Sequence, residues 1–173
     1  MSPKRKLVFI AEYFLILWFA VPLASAGELA KPMGDVILTV SGNISNTNAG
    51  GEARFGLDML AAPTSAVVRT KTPWTPGVGE FVGVSLNDLI AAVGAKGKTL
   101  KATALNEYAI DLPASDAVPA GPIVAYSADG APMSVRDKGP SWIMYTFDAN
   151  ASYRTEVMFS RSIWQLWSLG DRQ

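Results

Sequence analysis

The sequence predicts an α+β domain dominated by strands, with one or two short helices. Three observations predict it. Fifteen glycines and eleven prolines punctuate the 173 residues every ten or so positions, which leaves room only for short elements. The stretches between them are brief apolar runs of strand length. Only one stretch combines a helical apolar period with a start signal and a stop signal.

The elements follow in chain order. Residues 36–40, Val-Ile-Leu-Thr-Val, read as a first strand, and 43–51 as a polar loop rich in glycine and asparagine. Residues 55–62 suit a short helical turn that stops before Pro63. A second strand is expected over 66–70 and a short third over 80–82, with glycine at each end. Residues 85–93 form the clearest helix. Ser85 can cap it, Asp88 lies at the capping-box spacing, and Gly94 ends it. Leu86, Leu89, Ile90 and Val93 share one of its faces. Strands are expected over 100–105 and 108–112 around an Asn106-Glu107 turn, and over 123–127. Asp129-Gly130 is a hairpin signal that pairs the last of these with 133–135. A strand over 142–147, a short helix over 153–158 and a closing strand over 162–169 complete the expectation.

The composition excludes much chemistry. The chain has no cysteine and no histidine. Disulfides, Cys/His zinc sites and iron–sulfur clusters are therefore ruled out, as is nucleophilic catalysis by a Ser-His-Asp or Cys-His set. Residues 1–26 read as an export signal, with basic Lys4-Arg5-Lys6, an apolar run over 7–21 interrupted by Glu12, and a small-residue A-x-A ending at Ala26. An uncleaved membrane anchor is the alternative for this segment. Residues 27–173 then form a single domain. Three of the 15 basic residues and one of the 15 acidic ones fall in the signal, which leaves 12 and 14 and a net charge of −2. That balance gives no footprint for nucleic acid.

Three clusters stand out as candidate sites. Thr70 to Gly77 contains Pro73, Trp74 and Pro76 in a stiff loop between two strands. Trp74 either folds back onto the core or offers a stacking plate to a flat ligand. Arg136-Asp137-Lys138 is a charge run that serves either as a solvated turn or as a polar recognition loop. In the second role the Asp137 carboxylate accepts paired N–H donors and Arg136 donates to carbonyl or phosphate oxygens. Asn106-Glu107-Tyr108 is either an ordinary tight turn or a source of an amide and an aromatic ring. Trp142 and Trp164 are expected in the core. Carboxylates are too sparse to suggest a paired-acid hydrolase.

Taken in order, several segments resemble the oxidoreductase molybdopterin-binding domain, a mixed sheet or barrel of the sulfite-oxidase type. Residues 81–90 (FVGVSLNDLI) are similar to that family's approach to its helix, and 108–113 (YAIDLP) to its Tyr-led strand. Residues 123–133 resemble its strand and hairpin, and Gly139-Pro140 with Trp142-Ile143-Met144-Tyr145 the loop and strand beyond. Enzymes of this family hold molybdenum through a cysteine thiolate, which this sequence lacks. The T-K-T-P-W-T-P-G and V-R-D-K-G-P-S-W-I segments resemble instead the cysteine-free, exported pterin-binding proteins of the PruR type. This resemblance implies a free reduced pterin as ligand and no molybdenum cofactor; Trp74 or Tyr108 would stack on the flat ring, and Asp137, Arg136 or Asn106 would meet its pyrimidine edge. It also implies a periplasmic, non-catalytic module whose partner is the periplasmic domain of a membrane diguanylate cyclase or phosphodiesterase. The alternative is a molybdopterin-dependent oxidoreductase without the cysteine metal ligand.

Overall fold

The computed structural model describes residues 29–62 and 64–173; the expected export signal over 1–26 lies outside the described residues. Ten strands form two sheets. In the first, β1 (Val36–Gly42) lies between β2 (Ala53–Gly56) and β10 (Leu166–Arg172), which is followed by β5 (Thr99–Ala104) and β6 (Ala109–Pro113). The β1–β10 pairing is parallel and the others in this sheet are antiparallel. The second sheet is antiparallel and runs β3 (Ala66–Thr72), β4 (Thr75–Ser85), β7 (Ile123–Ala128) and the short β8 (Ala131–Pro132). A further strand, β9 (Trp142–Met144), pairs with the first half of β7. The sheets are open, so the architecture is a pair of sheets and not a closed barrel.

Helices are few and short, as expected, but the described residues hold three: α1 (Leu57–Ala61), α2 (Leu86–Ala92) and α3 (Glu156–Arg161). Ser85 caps α2 by accepting the Asp88 amide, and Leu86 and Leu89 are buried on its inner face. The Asp129-Gly130 hairpin is present, with positive φ at both residues as its turn geometry demands.

Four expectations differ from the structure. The third strand is β4, eleven residues long and not three. Its glycines look like breakers, yet Gly83 lies where a Cβ would run into the Val124 carbonyl, so the residue permits close strand approach at a bulge. The strand expected over 133–135 gives way to a 3-10 turn (Val135–Asp137), because Ser134 caps it from the Asp137 amide. The strand from Trp142 stops at Met144. Beyond it the chain folds onto β3, with the Asp148 amide on Thr70 Oγ1 at 3.0 Å and the Lys71 amide on Asp148 Oδ2 at 2.8 Å. The closing strand starts at Leu166 and not at Ser162, since Gln165 has positive φ and residues 162–165 are tied to the chain around Ser141 and Ile143.

The core lies on the inner faces of both sheets. Leu38, Val40, Leu100, Leu112 and Leu169 come from the first, and Phe81, Val124, Ile143 and Trp142 from the second. Among the described residues no helix is long and apolar enough to cross a membrane.

Candidate functional site

A cavity of about 650 Å³ opens where the two sheets meet three connecting segments. This is within the size range of small-molecule sites. Pro73 and Trp74 reach it from the β3–β4 hairpin, and Ala104, Asn106 and Tyr108 from the β5–β6 turn. Glu156, Phe159 and Ser160 come from α3, and Ser162, Ile163 and Trp164 from the segment before β10.

Trp74 is fixed by its loop and by its neighbours. Thr72 Oγ1 accepts the Trp74 amide at 3.1 Å and is hydrogen-bonded to Thr75 Oγ1 at 2.7 Å, which closes the hairpin end. The indole lies 5.5 Å from Trp164, 5.8 Å from Trp142 and 5.8 Å from Phe159, at interplanar angles of 69°, 59° and 86°. Such tilted and edge contacts suit the ring quadrupoles. Trp142 is buried beneath, with its indole N–H on the Ser162 carbonyl at 3.0 Å. Trp74 thus rests on the core and also walls the cavity.

Asn106 and Tyr108 form a further part of the wall. Asn106 Oδ1 accepts the Tyr108 amide at 3.1 Å and holds the turn, in which Glu107 has positive φ. This leaves the Asn106 amide NH₂ as the group able to meet a ligand acceptor. Tyr108 is half exposed, so its ring face is free to pack on an incoming molecule.

Arg136 and Asp137 are elsewhere. Both are exposed on the 3-10 turn after β8 and neither lines the cavity. Asp137 Oδ2 accepts the Ser134 hydroxyl at 2.7 Å, so the carboxylate serves its own turn. The charge run touches the aromatic cluster only through Lys138, whose Nζ sits 5.9 Å from the Trp142 ring centroid. The structure therefore brings together Trp74, Asn106 and Tyr108 and leaves Arg136 and Asp137 outside.

Seven lining residues lie outside the sequence's candidate clusters. Trp164, expected in the core, is partly exposed at the cavity; Glu156, Phe159 and Ser160 arrive on α3, and Ala104, Ser162 and Ile163 complete the wall. Nothing local in the sequence marks the α3 residues, because their position depends on how α3 docks. That docking is set by a cluster under the helix. Asp116 Oδ2 accepts both the Tyr145 hydroxyl at 2.8 Å and Arg161 Nη1 at 2.9 Å. Burial, reinforced by the Asp116 charge and hydrogen bond, pushes the Tyr145 hydroxyl far above its usual range, so it stays protonated.

With this geometry in view, the fold has a known counterpart. The structure is similar to that of the sulfane dehydrogenase SoxCD from Paracoccus pantotrophus, with a TM-score of 0.55 and 19% sequence identity. The match covers 85% of this chain and 40% of that one, so the chain spans about two fifths of its structural neighbour. No protein-family model and no curated protein matches the sequence. The fold is accordingly α+β and sulfite-oxidase-like.

The donor set decides what the cavity suits. Its walls are aromatic rings, one amide, one carboxylate and hydroxyls. No cysteine exists in the chain to supply a thiolate, and no group of three acidic side chains is positioned for a metal ion among the described residues. The residues present do not fit a thiolate-held molybdenum centre. Their aromatic faces and few polar groups are a lining common to sites for small organic molecules.

Proposed function

We propose that the protein is a non-catalytic, pterin-binding module of the periplasm. It binds a free reduced pterin and relays pterin level to a partner in the inner membrane. The observation that carries this reading is the aromatic-walled cavity of about 650 Å³ built around Trp74 on a chain without cysteine. A pterin is flat and packs against Trp74 or Tyr108, while its pyrimidine edge offers N–H donors and a carbonyl acceptor. The Asn106 NH₂ suits the carbonyl. Stacking together with hydrogen bonds to the cavity wall supports micromolar affinity, about −8 kcal/mol. In this reading residues 1–26 export the chain, and the partner is the periplasmic domain of a diguanylate cyclase or phosphodiesterase. Arg136 and Asp137, exposed and away from the cavity, then belong to the surface offered to that partner. Mass spectrometry of small molecules that co-purify with the exported protein tests the reading. A stoichiometric reduced pterin is the expected result, and protein that never carries one from its own host contradicts it.

The likeness to a sulfane dehydrogenase favours a second reading, a molybdopterin-dependent oxidoreductase with an altered metal site. Stoichiometric molybdenum in protein from its own host is the outcome that selects it.

A further inference from the structure

Glu156 is the one charged side chain among the residues that line the cavity. It is exposed at the cavity wall and makes no ion pair among the described residues. The basic groups nearby are engaged elsewhere. Arg161, on the same helix, holds Asp116 at 2.9 Å. Arg154 donates Nε to the Phe147 carbonyl at 2.8 Å, and Lys138 lies over the Trp142 ring. The other polar lining groups are neutral, and the Ser160 hydroxyl is occupied by the Val157 carbonyl at 2.7 Å. The cavity thus presents aromatic faces, one amide NH₂ and a single uncompensated negative charge.

We propose that Glu156 selects the ligand of this cavity by charge: it accepts the paired N–H donors of a flat nitrogen heterocycle and rejects ligands that carry a phosphate. The proposal rests on the pterin reading and narrows it. A carboxylate has two acceptor oxygens that match the adjacent N–H donors of a 2-amino-4-oxo-pyrimidine edge. This is the role the sequence suggested for Asp137, moved to the acid that the fold brings to the wall. A phosphate ester carries about −1.5 to −2 charges at neutral pH. Placed beside Glu156 with no lining cation to meet it, such a group is repelled. The site therefore takes the free pterin and disfavours the phosphorylated form.

Purified full-length protein tests this by tryptophan fluorescence with two matched pairs of probes. One pair is dihydroneopterin and dihydroneopterin phosphate; the other is naphthylamine and naphthalenesulfonate. Wild type is expected to bind the unphosphorylated pterin about tenfold more tightly than its phosphate. Glu156→Gln is expected to weaken dihydroneopterin about tenfold and to strengthen naphthalenesulfonate about threefold, with an unchanged melting temperature. Glu156→Lys is expected to invert the pterin preference. Equal binding of both pterins by wild type, or unchanged affinities in Glu156→Gln, overturns the proposal. If neither pterin binds while the naphthalene pair is still discriminated through Glu156, the pterin identity fails and the charge selection stands. If both pterins bind equally, the charge selection fails and the pterin reading stands; if neither pterin binds and the naphthalene pair is not discriminated either, both fail.

Discussion

Trp74 sits where core and cavity share a side chain, so its removal separates two contributions. Trp74→Ala takes away ring contacts with Trp142, Phe159 and Trp164. A stability loss of about 2–3 kcal/mol is expected for this half-buried indole, measured by urea unfolding. Pterin affinity should fall more than tenfold by calorimetry, since the stacking surface is lost. A folded Trp74→Ala protein that binds pterin like wild type removes Trp74 from the site. Trp167 is the control: it lies on the outer side of β10 with 41% of its surface exposed, and Trp167→Ala should change stability by less than about 0.5 kcal/mol. At this scale the sequence was informative where chemistry and loop stiffness coincide. Trp74, Asn106 and Tyr108 come from rigid turns whose residues announce them. Arg136 and Asp137 carry the right chemistry but are held on an exposed turn by Ser134, and no local pattern distinguishes the two cases. Glu156 was silent in the sequence because a lone acid in the first turn of a helix also suits the helix dipole.

Among the elements, α3 matters most for the site and is the least secured by its own sequence. Six residues cannot form a stable isolated helix, so its position relies on tertiary contacts. The Arg161–Asp116–Tyr145 cluster supplies them, while the Thr155 hydroxyl adds a local cap by accepting the Met158 amide. Arg161→Met is expected to cost about 2 kcal/mol by leaving Asp116 short of a partner, and to weaken ligand binding through movement of the α3 wall. The cluster also sets a pH dependence. The folded Tyr145 hydroxyl titrates above the ordinary value of 10.0, so the unfolded chain loses this proton first as pH rises. The contribution is therefore complete below about pH 10 and declines above it. Denaturant unfolding across that range should show the decline, and Tyr145→Phe should flatten it. Helix α2 is the opposite case, with cap, apolar face and glycine stop all written locally. Because the Ser85 cap bond is long at 3.5 Å, Ser85→Ala should cost only about 0.5 kcal/mol. Strand β4 is longer than its glycines suggest because Gly83 permits close approach to β7 and Gly79 leaves room for the Phe81 ring, so neither marks a strand end. The segments after Met133 and Met144 were over-read as strands because apolar alternation continues where the chain already turns.

In the whole molecule, the first and last described strands pair in parallel at the middle of one sheet. That pairing joins distant parts of the chain. It brings the segment before β10 beside the β3–β4 hairpin of the other sheet, and the cavity lies between them. The fold class was legible from punctuation and motif order, while the meeting of three separate segments at one cavity was not. The likeness to a dehydrogenase of larger size gives the architecture, and the missing cysteine separates this chain from thiolate-held metal chemistry. What remains is a cavity with aromatic walls and polar edges, to which the proposed pterin reading applies. Calorimetric titration of purified protein with tetrahydropterin tests that conclusion most directly. The account predicts saturable one-to-one binding in the micromolar range, about −8 kcal/mol, accompanied by tryptophan quenching. No heat and no quenching at millimolar ligand would contradict it.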